Sequence, residues 1–155
     1  EKGIPCEEVP GITSAIAAPA AAGIPVTHRQ CSRMVTILTA SAINSEGNKE
    51  ALTQVDYKAL AQLQGTLVVL MGMHHLKGLA AKLMEAGKDP QTPAAVIMEG
   101  ATKRQRSIRA TLGTIAKAAT EAGLKPPAVI VIGEVAALEL LPQTAQLPCG
   151  KKEPG

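Results

Sequence analysis

Tryptophan and phenylalanine are missing from this chain, and Tyr57 is its only aromatic residue. A core must therefore be built from Ala, Val, Ile, Leu and Met. The aromatic platforms on which RNA-binding modules stack bases are excluded. Cysteine is scarce and odd in number: Cys6, Cys31 and Cys149, none of them in a CxxC pair. This argues against a disulfide framework or a zinc site and for reduced thiols, hence for a cytoplasmic setting. Apolar runs stop far short of the roughly 20 residues that cross a bilayer, so no membrane partner is expected. Excess charge is small, 16 Lys+Arg against 13 Asp+Glu over 155 residues, net +3. That is too weak a field to argue for nucleic acid, although it suits a polyanionic small molecule.

Standard chemical motifs are missing too. There is no P-loop and no GxGxxG to cradle phosphate, and no GxSxG or HExxH. His74 and His75 are adjacent, so on a helix they diverge by about 100° and cannot chelate one ion together. The simpler expectation is a helix start with one buried and one exposed ring.

What is present is an alternation of short apolar strands with helical segments. Pro10-Gly11 marks a turn. Thr13 or Ser14 can cap a small-residue helix that runs to about Ala22, and Gly23-Ile24-Pro25 ends it. Met34–Thr39 (MVTILT) reads as a strand, followed by an exposed polar loop over 40–55. Asp56 is expected to cap a helix through Leu63. Thr66–Met71 (TLVVLM) is the clearest strand. Leu76, Leu79, Ala80, Leu83 and Met84 have helical spacing and predict an amphipathic helix over 74–86, stopped by Gly87. Ala94–Met98 and Ala128–Ile132 read as further strands and Thr114–Ala122 as a helix. Gln105–Leu112 is a candidate antiparallel strand, and Val135–Leu141 a final short helix. The expected fold class is α/β, a mixed parallel/antiparallel sheet flanked by helices, in one domain over 1–141 with a Pro/Gly/Lys-rich tail or linker over 142–155.

Three strands end beside glycine: Met71-Gly72, Glu99-Gly100 and Ile132-Gly133-Glu134. Ligands in open α/β sheets sit beyond the carboxyl ends of strands, where glycine lets backbone approach them. Turn glycines are also ordinary features of such folds, so spacing alone leaves both readings open.

Five segments carry a family resemblance. Cys6–Ala15 (CEEVPGITSA) resembles the EVVPGITSA segment of the tetrapyrrole (corrin/porphyrin) methylases. Gly23–Arg29 (GIPVTHR) is similar to the matching segment of their uroporphyrinogen-III C-methyltransferase branch. Thr66–Gly72 (TLVVLMG) resembles TLVFLMG. Pro93–Ile97, with Gly100, Thr102, Gln105 and Arg106, resembles PVAVIxxGTxxxQR. Ala128–Val135 (AVIVIGEV) resembles the closing strand. The segments keep family order from residue 5 to about 141. The chain departs from the pattern at Thr39-Ala40-Ser41, where the family has a TGH-like segment, and at Gly100-Ala101-Thr102, where it has Gly-Thr.

The resemblance implies the C-terminal domain of a methyltransferase whose cofactor, S-adenosyl-L-methionine, is released as S-adenosyl-L-homocysteine. The cofactor would lie in a cleft shared with an N-terminal domain. The family's glycine-rich loops of that domain do not occur here. The chain opens Glu1-Lys2-Gly3-Ile4-Pro5 without an initiator Met, so it is expected to start inside a longer protein and to be inactive alone. The implied reaction is C-methylation of uroporphyrinogen III to precorrin-2, on the way to sirohaem and cobalamin. Carried over residue by residue, Thr13, Ser14, Met71 and Gly100 would contact the cofactor. Competing roles are a helix cap for Thr13 and Ser14, core packing for Met71 and a turn for Gly100. Arg29 is the expected substrate contact, since guanidinium pairs with carboxylate through parallel hydrogen bonds, with His28 beside it. Arg29 could equally be a surface ion-pair residue, and His28 a loop anchor. Gln105 and Arg106 are weaker candidates; Arg106 could hold the sheet edge or a dimer. No general base or catalytic nucleophile is singled out. A homodimer and a fusion to uroporphyrinogen-III synthase beyond residue 147 would fit the family. The alternatives are another tetrapyrrole methylase, a ribosomal-RNA ribose methyltransferase of the same fold, or a non-catalytic dimerising fragment.

Overall fold

The computed structural model describes residues 5–40 and 55–140. The expected polar loop and the tail fall largely outside them. Among the described residues, no helix is long and apolar enough to cross a membrane.

Five strands of the described residues form one sheet: β1 (Val35–Thr39), β2 (Thr66–Leu70), β3 (Pro93–Met98), β4 (Arg106–Thr111) and β5 (Ala128–Ile132), in the order β1-β2-β5-β3-β4. β1 and β2 are parallel, paired Val35 to Thr66 through Thr39 to Leu70. The other three pairings are antiparallel. The sheet is therefore mixed, and the antiparallel strand foreseen after Gln105 is β4 against β3.

Among the described residues, four α-helices flank the sheet: α1 (Ser14–Ala21), α2 (Tyr57–Gln62), α3 (Leu76–Glu85) and α4 (Ile115–Glu121). Side chains alternate across the strands, and this period of two splits the core into two layers. Leu67, Val69, Val96, Ile130 and Ile132 point to one face, where Leu76, Leu79 and Leu83 of α3 and Ile115 of α4 meet them. Val68, Ala95, Ile97, Val129 and Val131 point to the other, against Ala15 and Ala18 of α1 and Val135 and Ala136. α1 packs closely because its buried side chains are only methyl groups and Pro19.

The helix expected from residue 74 is broken at its start. Met73–His75 is a 3-10 turn and α3 begins at Leu76. Neither Gly72 nor His75 offers a side chain that caps a helix start, so the first turn tightens instead. His74 is exposed and His75 half-buried, so the expected buried ring is not found. The final helix expected over 135–141 is likewise a 3-10 turn, Glu134–Ala137.

Candidate functional site

A cavity of about 810 Å³ opens at the edge where β2 and β3 end and β5 begins. Antiparallel pairing creates this edge, because Leu70 faces Val129 and Met98 faces Ala128. Its size lies within the range of small-molecule sites. Leu70 and Met71 form one wall, followed by Met73 and His74 of the 3-10 turn. Ile97, Glu99 and Gly100 form the opposite wall, Pro126 to Val129 the floor, and Ser14 and Ala18 of α1 a flank. Thr102 and Arg104 stand at the mouth. Most of this lining is apolar.

Backbone geometry concentrates here. Met71, Glu99 and Ala101 have φ of 53°, 48° and 62°, the left-handed region that a Cβ disfavours. Such conformations cost of order 1–3 kcal/mol each and persist where surrounding contacts over-determine them. For Glu99 those contacts are visible. Its N–H donates to the Pro127 carbonyl at 3.0 Å, and its own carbonyl accepts from Thr102 N and Oγ1 at 3.2 and 2.8 Å. The left-handed turn at Met71 sends its side chain outward, 59% exposed, rather than into the core.

Gly100 packs on α1. A Cβ built there would stand 2.4 Å from Ala18 Cβ and 2.8 Å from its Cα. The cavity wall and the helix flank thus touch backbone to backbone.

Of the residues singled out from the sequence, Ser14, Met71 and Gly100 come together around this cavity. Ser14 is the first residue of α1; the next two N–H groups are taken, Ala15 N by the Thr13 hydroxyl and Ile16 N by the Thr13 carbonyl at 3.2 Å, so Ser14 brings its own hydroxyl and N–H to the cavity. Thr13 is the helix cap: its hydroxyl accepts from Ala15 N at 3.2 Å, and it is not among the lining residues.

His28 and Arg29 lie elsewhere, in a turn closed by paired backbone bonds between His28 and Ser32 of 2.7 and 2.8 Å. Ser32 Oγ meets Thr66 Oγ1 at 2.8 Å and pins the turn to the start of β2. The cavity is at the other end of β2, roughly 15 Å along the strand. Arg29 is exposed, and His28 Nδ1 accepts from Gln30 N at 3.4 Å.

Gln105 and Arg106 act on the frame. Gln105 accepts from Ala101 N at 2.7 Å and donates to Ala21 O at 3.0 Å, tying the cavity loop to the end of α1. Arg106 donates to the Ala122 carbonyl at the end of α4 at 2.6 Å. The three strand-end glycines do not share an edge. β5 runs against β2 and β3, so Gly133 sits at the far end, donating to Pro93 O at 2.8 Å. Gly72 packs on Val69 and Ile130 and lies behind the cavity wall. Sequence reasoning passed over Glu99, His74 and Arg104 as site residues. The signal for the first was available in the Glu-Gly step at the end of β3.

A model of the tetrapyrrole (corrin/porphyrin) methylases matches residues 1–116. A uroporphyrinogen-III C-methyltransferase of Methanocaldococcus jannaschii is 47% identical over 133 residues, 85% of this chain and 52% of that protein. An S-adenosyl-L-methionine-dependent uroporphyrinogen III methyltransferase of Methanosarcina barkeri is 48% identical over 129 residues, 83% of this chain and 49% of that protein. The crystal structure of a uroporphyrin-III C-methyl transferase from Thermus thermophilus, complexed with S-adenyl homocysteine, superposes with a TM-score of 0.69 at 31% identity. It covers 87% of this chain and 53% of that one. The chain thus spans about half the length of these relatives.

Proposed function

That the chain belongs to the tetrapyrrole (corrin/porphyrin) methylases is the premise from which we propose that it forms one wall, from the C-terminal half, of the S-adenosylmethionine site of a uroporphyrinogen-III C-methyltransferase. The observation that carries this is the cavity at the ends of β2 and β3, with Ser14, Met71 and Gly100 around it. Ser14 supplies its hydroxyl and its own N–H at the helix start for the polar end of the cofactor. Met71 supplies a soft, polarizable surface for an apolar face. Gly100 lets the β3 end approach the ligand without an intervening side chain. When bound, S-adenosylmethionine supplies an electrophilic methyl group. The residues here need only hold it in line with a nucleophilic pyrrole carbon, and alignment alone can supply much of the rate.

In this reading Arg29 and His28 contact the outlying carboxylates of a wide substrate, because their turn lies a strand length from the cavity. Exposed Ile12, Ile16 and Ile37 offer apolar surface for a homodimer. The decisive measurement is titration of the chain with S-adenosylhomocysteine, followed by amide NMR shifts. Saturable shifts at Ser14, Met71 and Gly100 are expected. Saturable shifts confined to other parts of the chain, or no binding at all, would reject the assignment.

A further inference from the structure

Glu99 is the one anionic side chain among the described residues that line the cavity, and nothing in the apolar chemistry of the rest requires it. We propose that Glu99 selects the ligand by charge, favouring a sulfonium over the neutral thioether of the same shape, and that Arg104 attenuates this preference. The inference rests on the cofactor reading above and adds a specificity determinant to it.

Glu99 is held in place. Its backbone is fixed on both sides by the bonds to Pro127 and Thr102, in a left-handed conformation. Its side chain is only 22% exposed. A carboxylate against an apolar wall acts through a lower effective dielectric than one in water, so its field reaches a ligand in the cavity. Arg104 meets it through one nitrogen, Nε to Oε2 at 2.5 Å, rather than as a two-pronged fork. The guanidinium side chain is 80% exposed, and its charge is the more heavily screened of the two. Of the two opposite charges that line the cavity, the carboxylate is thus the less screened. His74, the other titratable group in the lining, is exposed and lies across the cavity on the 3-10 turn.

S-adenosylmethionine and S-adenosylhomocysteine differ by one methyl group and one positive charge. They are therefore a matched probe pair. The quantity to read is the ratio of their dissociation constants for the full chain, homocysteine form over methionine form. Glu99→Gln is expected to lower that ratio on the order of fivefold to tenfold, the scale of about one pKa unit of charge interaction. Arg104→Gln is expected to raise it about twofold to fivefold, by uncovering the carboxylate. Both substitutions break the same ion pair, so a purely structural role would move the two variants in the same direction. Opposite shifts carry the proposal; parallel shifts or an unchanged ratio overturn it. If Glu99→Gln does not fold, the wild-type ratio measured in rising sodium chloride gives the same answer, falling if charge selects and staying flat if it does not. A chain that binds neither compound refutes the cofactor reading itself. Binding of both with a ratio indifferent to Glu99, Arg104 and salt refutes only the charge selection.

Discussion

Gly100 shows how one residue ties the site to the fold. Its missing side chain is the reason α1 and the end of β3 can touch, since an added Cβ would meet both Cβ and Cα of Ala18. The Cα belongs to a helix backbone and cannot turn aside. Gly100→Ala should therefore cost about 1–3 kcal/mol, the range for forcing extra methyl groups into a packed contact. Adding Ala18→Gly should recover part of the loss by removing the closest atom, less about 1 kcal/mol for glycine inside a helix. Chemical denaturation of both single variants and the double variant checks this, and a double loss equal to the sum of the two single losses would refute the steric cause. The sequence makes Gly100 noticeable through the Glu-Gly step but gives no hint of its partner. Ala18 lies far away in the chain, and no local pattern encodes which small residue a glycine will meet. Met71, Glu99 and Ala101 are harder still, because their left-handed conformations are imposed by tertiary contacts that residue type disfavours.

At the scale of elements, most of the architecture is legible. β2, β3 and β5 are short β-branched or alanine-rich runs between turn residues, and α3 has an apolar stripe. What periodicity could not convey is direction. β5 was readable as a strand but not as one that runs against its neighbours, and this reversal sends Gly133 away from the cavity. Nor could it convey Arg109, which sits in a strand that looks merely polar. Its guanidinium donates to Ala22 O, Ala136 O and Leu138 O at 2.9, 3.1 and 3.2 Å. Three carbonyls from the end of α1 and the closing 3-10 turn thus converge on one cation, helped by Leu140 N to Gly23 O at 3.1 Å. Arg109→Gln should destabilise the chain by about 2–3 kcal/mol, as expected when partly buried carbonyls lose a charged donor. The loss should be localised. Hydrogen exchange should quicken at the end of α1 and at residues 134–140, while the α3–α4 face keeps its protection relative to global unfolding. Uniform acceleration across both faces would mean that Arg109 supports the whole fold rather than this clamp.

For the molecule as a whole, the cavity and the alignment lengths bear on each other. The cavity has walls from β2, β3, α1 and the Pro126–Val129 segment, and is open to solvent on its remaining side. The relatives are about twice as long as the matched stretch. Ordinary small-molecule sites bury 70–90% of a ligand's surface, whereas a cavity open along one side leaves a larger share of it in water. If about 100–150 Å² of apolar ligand surface stays exposed, the forfeited burial is about 2.5–4 kcal/mol at 25 cal/mol per Å². That corresponds to an affinity on the order of a hundredfold to a thousandfold weaker. S-adenosylhomocysteine should therefore bind this chain with a dissociation constant at least about a hundredfold above that of the full-length Methanocaldococcus jannaschii relative under the same buffer. Calorimetry on both proteins measures the difference directly. The heat-capacity change should shrink in step, because it too follows the apolar area removed from water. Equal affinities would mean that these walls already enclose the ligand, and that the residues beyond the matched stretch in the relatives serve the tetrapyrrole rather than the cofactor.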